Sequence, residues 1–381
     1  MVISEVGLVR APDLRAFAWG ELNQYQNVDH TANLIVDLHG LQTKHKANAR
    51  KQAAELRYCL SQAREYFAAA DAVSLATRPV LQYYGAMSLA LAEILFKQSA
   101  DSRLAKLRAE HNCHGLSFVV EPQPKIGDSL ISLMDCLRAK PQTDASGLPR
   151  GTFEVWRRCA REHPVAGNRV ESEGAQGASK TTLAVLYVAE DEPPRMQPAG
   201  GISLGRCIRN LPYLSRALTT WGCELDMVRA TVTSHVAQNK TSKTTLIVHP
   251  ASRALLDRFI ELPKLRSGDV DNIEVSDMSS GYIINHNEKL SQFTLPWATC
   301  LSEKEVFFSC STDCLGEFGF SFVALHILGN FARYYPEIWM EHIARNSPLA
   351  SIADVFCSYA SARLPLLTLS ELARRYVVVE H

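Results

Sequence analysis

Two strongly apolar segments, from opposite ends of the chain, constrain the fold more than any other feature. Residues 68–96 read AAADAVSLATRPVLQYYGAMSLALAEILF, and residues 320–339 read FSFVALHILGNFARYYPEIW. Both are rich in aromatic and small residues and leave almost no polar helical face, so neither is stable as a solvated surface helix. We therefore expect two helices, one from each end of the chain, to share a single core.

Helical spacing extends before the first of these segments. Residues 44–70 place apolar side chains three and four positions apart, which predicts one long helix (Ala53, Leu56, Leu60, Ala63 and Phe67). The next helix is predicted over Pro79–Phe96, with proline in its first turn. Gly85 within that helix costs about 1 kcal/mol relative to alanine, a cost that close helix–helix approach would offset.

The pattern changes in the middle of the chain and returns to helix near the end. Alternating or β-branched runs predict strands, at Thr182–Ala189, Arg229–Val236, Thr244–His249, Gly281–Asn285 and Val306–Ser309. Helical spacing then resumes from Phe318 to Tyr376. We predict an α+β fold in four parts: helices in 1–150, a flexible linker in 151–180 (with 167–180 a mobile loop), a β-rich mixed region in 181–315, and helices in 316–381 that pack back on the first part.

Composition limits the classes of partner. Forty basic residues balance forty acidic ones, which excludes the whole-chain charge of a general nucleic-acid binder but leaves room for a local basic patch. The first residues lack a signal-peptide pattern, and no apolar run approaches the ~20 residues of a spanning helix. Ten cysteines without a Cys-x-x-Cys pair are typical of reduced thiols. We expect a cytoplasmic protein that does not bind membranes.

Both ends of the chain carry motifs of one known family. The Tyr83-Tyr84-Gly85 helix followed by His114-Gly115, and Ala332-Arg333-Tyr334 followed by Trp339, resemble the YaaC-like protein family. The resemblance implies a bacterial cytosolic protein, with some relatives among phage-defence genes. It also implies a helical core similar to HEPN-type domains, which include metal-independent ribonucleases. The function expected on this basis is an interaction or regulatory component of a multi-protein system that contacts RNA, DNA or a partner protein, such as an ATPase or nuclease encoded nearby.

A ribonuclease is the alternative that the HEPN likeness implies. The HEPN signature is an arginine followed after four to six residues by a histidine, and Arg108 and His114 fit it. The histidine can move the 2′-hydroxyl proton, and the arginine can stabilise charge on the phosphorane. Six Arg/His pairs in the chain have this spacing, so only the position after the core helix favours this pair. The other interpretation is a structural loop, and whether the chain is an enzyme stays open. HEPN enzymes commonly build the site across a homodimer.

Two further groups are candidates for nucleic-acid contact. Arg333, beside Tyr334 and Tyr335, can hold a base or a phosphate. It can equally belong to an aromatic cluster in the core, paired with Glu337 or Glu93. Basic residues on the long helix can contact phosphates, although a solvated helix face has the same composition (Lys44, Lys46, Arg50, Lys51, Arg57 and Arg64).

Metal-ligand spacing is weak throughout the chain. His111 and His114 flank Cys113, and Cys310 and Cys314 flank Asp313, but neither group has the second pair that a four-ligand zinc site requires. No metal and no cofactor is expected.

Overall fold

The computed structural model describes residues 5–98, 103–125, 127–160, 168–173, 178–183, 200–236, 242–249, 252–261, 273–278, 281–286, 298–300, 306–311, 313 and 315–380. The strands are β1 (Glu5–Arg10), β2 (Leu116–Val120), β3 (Leu137–Pro141), β4 (Asn168–Glu173), β5 (Ala178–Leu183), β6 (Ile202–Ser203), β7 (Met227–Val236), β8 (Ser242–Val248), β9 (Ile273–Met278), β10 (Gly281–His286), β11 (Ala298–Cys300), β12 (Val306–Ser309) and β13 (Arg375–Glu380). The helices are α1 (Leu14–Leu22), α2 (Val28–His39), α3 (Lys46–Asp71), α4 (Arg78–Lys97), α5 (Leu104–Glu110), α6 (Leu130–Cys136), α7 (Thr152–Ala160), α8 (Leu204–Arg209), α9 (Ser215–Thr220), α10 (Arg253–Glu261), α11 (Glu317–Tyr334), α12 (Pro336–Ala344) and α13 (Pro348–Ala373).

Helix α4 is the centre of the core. It packs against α3, α7, α11 and α13, so helices from both ends of the chain surround it. The Gln82 amide of α4 donates to the carbonyl oxygen of Cys357 and to the hydroxyl of Ser361, both at 2.7 Å, and both partners lie in α13. The Trp339 indole nitrogen donates to the Ala76 carbonyl oxygen at 3.2 Å. The predicted sharing of one core by the two terminal segments is confirmed.

The core face of α3 matches its sequence pattern. The five apolar residues at helical spacing are all buried (Ala53, Leu56, Leu60, Ala63 and Phe67). The close approach expected at Gly85 is also present, since a Cβ atom there would lie 2.8 Å from Cε2 of Phe67. The glycine therefore allows the Phe67 ring of α3 to pack directly against the backbone of α4.

The middle of the chain is β-rich, as predicted. A six-stranded antiparallel sheet has the order β11-β12-β7-β8-β10-β9. A three-stranded sheet of order β2-β3-β6 lies beside the helical core, and α11 contacts both β2 and β3. Strands β1 and β13 pair in parallel and bring the two ends of the described chain together. The fold is α+β with a helical core.

The first part of the segment predicted as a flexible linker, 151–180, is a packed helix, and the flexibility of the rest stays a prediction. Helix α7 begins at Thr152, and its Phe153 and Trp156 side chains are buried among core aromatics. These two rings supply enough apolar area to hold the helix against α4. Within the segment predicted as a mobile loop, β4 and β5 form an antiparallel pair, because ladder hydrogen bonds do not require apolar side chains. Residues 161–167 and 174–177 lie outside the described residues.

The expectation that no apolar run approaches the length of a membrane-spanning helix is wrong for α4. Its 20 residues are long and apolar enough to cross a membrane, the single such helix in the described part of the chain. However, 78% of the apolar window is buried inside the protein, as in the core helix of a folded domain.

Candidate functional site

A cavity of about 500 Å³ opens where α4, the loop after α5, strand β2 and helix α11 meet. Its wall includes both motif regions singled out in the sequence, Tyr83-Tyr84 with His114 and Arg333-Tyr334. These regions are far apart in the chain and become neighbours only because α4 packs against α11. The volume lies within the range of small-molecule sites.

Tyr83 forms the inner wall of the cavity. Its side chain is buried, and its hydroxyl lies 3.1 Å from Nδ1 of His114. The ring meets the edges of Phe322 and His326, with centroid separations of 5.5 and 5.2 Å. Burial, and then the neighbouring Tyr84, raises the pKa of Tyr83, so the hydroxyl stays protonated and available as a hydrogen-bonding group.

His114 stands at the rim of the cavity on a fixed loop. Gly115 follows it with a φ of +93°, and a Cβ atom there would lie 3.0 Å from the backbone of Arg150 and of Phe153. The His114 carbonyl oxygen accepts a hydrogen bond from the Phe153 amide at 3.0 Å. Loss of water around the ring, and then the positive charge of Arg333, lowers the pKa of His114. The imidazole is therefore held in its neutral form.

His326 is a buried donor in the same wall. Burial, and then His114, lowers its pKa to about 3, so the ring is neutral at physiological pH. Its Nδ1 lies 3.4 Å from the amide nitrogen of Asn330, and because that nitrogen is a donor we assign the remaining ring proton to Nε2. Nε2 has no hydrogen-bond partner within the part of the chain that the structure describes. An unpaired buried donor favours a ligand atom that accepts a hydrogen bond.

Helix α11 presents its polar residues to the cavity on one face. His326, Asn330 and Arg333 recur at intervals of four and three, and Gly329 lies between them. A Cβ atom on Gly329 would lie 3.4 Å from the Pro79 carbonyl oxygen, an ordinary van der Waals contact with the backbone of α4.

The mouth of the cavity combines a cation with an exposed aromatic ring. Arg333 is exposed, and its guanidinium carbon lies 5.2 Å from the ring centroid of Tyr334. Tyr334 is 59% exposed, which is unusual for a large aromatic residue. Glu93, considered above as a partner of Arg333, is instead buried and accepts hydrogen bonds from Trp156 Nε1 at 2.7 Å and Thr368 Oγ1 at 2.6 Å. No acidic residue is among the described residues that line the cavity. Its electrostatics therefore favour an anion.

A family model for YaaC-like proteins matches residues 23–121 and 190–372, well over half of the chain. The chain belongs to the YaaC-like protein family. The matched ranges contain Tyr83, His114, His326 and Arg333, whereas Gln142, which also lines the cavity, lies outside them. No match is found among curated proteins, and none among solved structures. The family resemblance is confirmed, whereas the HEPN likeness stays a prediction.

The YaaC-like fold places the other sequence-predicted residues away from this cavity. Arg108 lies exposed on α5 and does not line the cavity that His114 lines. The six basic residues near and on α3 are also outside the lining (Lys44, Lys46, Arg50, Lys51, Arg57 and Arg64). Arg50 pairs with Asp29 at 3.1 Å. The structure therefore groups His114 with Arg333 at one cavity, and it groups neither with Arg108.

The two metal clusters considered from the sequence have other contacts. Nδ1 of His111 lies 3.3 Å from the backbone amide of Gly151, and Asp313 pairs with Arg206 at 3.0 Å. Across the described residues, no three His, Cys, Asp or Glu side chains are close enough to hold a metal ion.

Sequence patterns missed four residues of this YaaC-like site. His326, Asn330, Tyr83 and Gln142 line the cavity, and none was predicted as a site residue. The available signal was in α11, where His326, Asn330 and Arg333 put polar groups at helical spacing on an otherwise apolar helix. No sequence pattern marks Gln142. Its side-chain oxygen accepts a hydrogen bond from the backbone amide of Gly115 at 3.1 Å, and this contact holds the side chain at the cavity wall.

Proposed function

We propose that this YaaC-like protein is a binding component of a bacterial multi-protein system and that its cavity recognises a nucleotide, free or at the end of a nucleic acid. The phosphate binds at Arg333 and the base lies among the tyrosines of the wall. Binding, rather than catalysis, is the primary role.

One observation carries this proposal: a single arginine and neutral polar groups meet aromatic rings on a cavity whose described lining contains no acid. The guanidinium of Arg333 can form paired hydrogen bonds with a phosphate. Tyr84 and Tyr334 offer ring faces against which a base can stack, and stacking of this kind tolerates every base.

The remaining polar groups suit the edge of a base. The side-chain oxygen of Asn330 can accept and the side-chain nitrogen of Gln142 can donate at a base edge, because the Asn330 nitrogen and the Gln142 oxygen are already bonded within the protein. The unpaired Nε2 donor of His326 supplies a partner for a ring nitrogen or a carbonyl oxygen. Each of these groups is uncharged, so their hydrogen-bond pattern determines which base is preferred. Arg333 binds the negatively charged phosphate.

The test is calorimetric titration of the full chain with AMP and GMP, compared with the nucleosides and inorganic phosphate. Arg333→Gln should weaken nucleotide binding by about 10- to 150-fold, the usual effect of removing hydrogen bonds to a charged group. Arg216→Gln is the matched control, since Arg216 is an exposed arginine on α9 that does not line the cavity. Nucleotides that bind no more tightly than inorganic phosphate, or an equal loss in the control, would contradict the proposal.

The setting in anti-phage defence is part of the same proposal and rests on the family resemblance. If the chain is a defence component, bacteria that carry the intact system should lose protection against phage when Arg333→Gln is introduced into this chain. Its expected partner is an ATPase or nuclease encoded nearby, and pull-down with that protein is the direct measurement. Protection that is unchanged in Arg333→Gln would separate the cavity from any defence role.

The alternative is a HEPN-type, metal-independent ribonuclease using Arg108 and His114. It is favoured by one observation, the neutral imidazole of His114 hydrogen-bonded to the Tyr83 hydroxyl, which could accept a proton. A ribonuclease should cleave labelled RNA in the presence of a chelator and lose about 10²–10⁴ of its rate in His114→Ala. It should also lose rate in Arg108→Gln. The binding proposal predicts no cleavage by any of these proteins.

A further inference from the structure

Strand β2 borders the cavity with its edge rather than with one of its faces. The consecutive residues Leu116, Ser117 and Phe118 all line the cavity. Successive side chains of a strand point to opposite faces of the sheet, so a cavity against one face would be lined by alternate residues only. The cavity therefore lies beside the β2 backbone, at the edge of its sheet.

This edge of β2 is open. The sheet has the order β2-β3-β6, so β3 is the single neighbour of β2 among the described strands. The Gly115 carbonyl oxygen accepts from the Gln142 amide at 2.9 Å. At the other end of the pair, the Glu121 amide donates to the Cys136 carbonyl oxygen at 3.1 Å. Because hydrogen-bonded positions alternate in an antiparallel pair, odd-numbered residues of β2 face β3 and even-numbered residues face the open edge.

Leu116 and Phe118 thus direct their backbone N–H and C=O groups towards the cavity. Within the described part of the chain, these outward groups have no hydrogen-bond partner. Leu116 is buried and Phe118 is half-buried. Backbone groups that are shielded from water and unpaired are costly, so this edge favours a ligand that supplies their partners.

A partner strand and a nucleotide base can both pair with an open edge, and the cavity favours the base. Val120 is the next outward residue, and it is not part of the lining. Two outward residues, Leu116 and Phe118, give too short a contact for the usual length of an added strand. A base needs less, since one of its edges presents a donor beside an acceptor.

We propose that the Watson–Crick edge of the nucleotide base pairs with the backbone groups of Leu116 and Phe118 at the open edge of β2. This inference rests on the proposed function, because it places the base of the nucleotide whose phosphate binds Arg333. The amides of Asn330 and Gln142 are left for the other polar groups of the base. A base in a duplex already uses its Watson–Crick edge, so the ligand class is a free nucleotide or an unpaired base.

Proline at residue 118 removes one outward N–H and should leave the pairing with β3 intact, since an edge strand tolerates proline where its N–H faces away from the sheet. Phe118→Pro should weaken GMP binding to the full chain, measured by calorimetry, by about 5- to 150-fold, the usual effect of leaving a buried group unpaired. Val120→Pro is the matched control. It removes the next outward N–H, outside the cavity lining, and should leave GMP binding unchanged. Phe118→Leu keeps the N–H and removes the ring, so its loss should be smaller.

A change in the ligand gives a second measurement that needs no variant protein. A GMP analogue methylated at N1 has lost a donor on its Watson–Crick edge and carries a methyl group there. It should bind the wild-type chain at least about 5-fold more weakly than GMP. An analogue with carbon in place of N7 is altered on another edge of the base and should lose less.

The outcomes separate this inference from the function on which it rests. If GMP binds but Phe118→Pro and Val120→Pro behave alike, or if methylation at N1 has no effect, the contact with β2 is wrong and the nucleotide cavity stands. If Phe118→Pro keeps GMP binding but loses pull-down of the ATPase or nuclease encoded nearby, the edge belongs to a partner strand and the inference is overturned. If GMP does not bind the wild-type chain, both proposals fail. Thermal melting of both proline variants shows that a lost affinity is not a lost fold.

Discussion

Three polar rings meet at the wall of the cavity, with Tyr83 and His326 buried and His114 exposed at the rim. Tyr83, His114 and His326 are in mutual contact, through the hydroxyl–imidazole pair and the edge of the His326 ring. Each is uncharged at neutral pH, since burial raises the pKa of the phenol and lowers those of both imidazoles. A neutral polar cluster can be buried at moderate cost, whereas a charged one would need a counter-ion.

The His326 side chain should make stability depend on pH. Its folded pKa, about 3, lies below the ordinary value of 6.5, so between these values the unfolded state binds more protons. Its contribution is fully present above pH 6.5 and is lost as the pH falls towards 3, with a slope of up to about 1.4 kcal/mol per pH unit. Urea unfolding at a series of pH values between 7 and 4 is the measurement.

His326→Gln should flatten that dependence because the titrating group is gone. The matched control is His30→Gln, which removes an exposed histidine on α2. A wild-type chain whose unfolding free energy is constant over this range, or an identical change in both variants, would contradict the assignment. His114 faces His326 and its pKa is also lowered, so part of the pH dependence should survive in His326→Gln.

Helix packing at the element scale depends on a glycine at the contact between α3 and α4. Gly85 on α4 receives the Phe67 ring of α3, and a Cβ atom there would lie 2.8 Å from that ring. This contact holds α4 in place, and α4 supplies the inner wall of the cavity. The local helix penalty of Gly85 is offset by the close approach that a side chain would prevent.

Gly85→Ala should therefore destabilise the protein even though alanine is the better helix former. The new methyl group would lie 2.8 Å from a buried ring, an overpacking cost of about 1–3 kcal/mol against a propensity gain of about 1 kcal/mol. Gly20→Ala is the matched control. Gly20 lies in helix α1 with nothing within 4 Å of the added atom, so that variant should gain up to about 1 kcal/mol. Chemical denaturation of both variants checks the opposite signs, and a stabilised Gly85→Ala would refute the packing argument.

The whole molecule is held together by contacts between residues from its two ends. Arg78 pairs with Asp354 at 2.7 Å, and Lys97 pairs with Glu371 in a buried site. Glu93 is buried between Trp156 of α7 and Thr368 of α13, accepting a hydrogen bond from each. Burial raises the pKa of Glu93, and Lys97 together with these two donors opposes that shift. One carboxyl group thus links three separate stretches of sequence.

Thr368→Val tests that link with a change of nearly constant shape. It leaves one oxygen of buried Glu93 without its donor, so we expect a loss of about 1–3 kcal/mol in the free energy of unfolding. Thr219→Val is the control, because the Thr219 hydroxyl is exposed and bonds only to the Ser215 carbonyl of its own helix. Tryptophan fluorescence and far-ultraviolet circular dichroism, followed during chemical denaturation, should report the loss together. A loss equal in both variants would indicate a helix effect and not the Glu93 contact.

The sequence by itself determined most of the elements and the sharing of one core by the two terminal helical segments. Helical spacing predicted α3 and α4, the β-branched runs predicted β7, β8, β10 and β12, and the apolar content of α4 and α11 required a shared core. Residue spacing is a local property, and the need to bury an apolar helix follows from the cost of leaving its surface in water. Both can be read from one segment of sequence. The motifs that resemble the YaaC-like family could be recognised for the same reason.

Only the tertiary structure decided which polar residues form a site. Arg108 and His114 are six positions apart, yet the cavity takes His114 and leaves Arg108 outside. Arg333, more than two hundred residues from His114, is near enough for its charge to lower the pKa of that histidine. Sequence spacing cannot give such a distance, because it depends on how α4, α11 and the loop after α5 pack around one cavity.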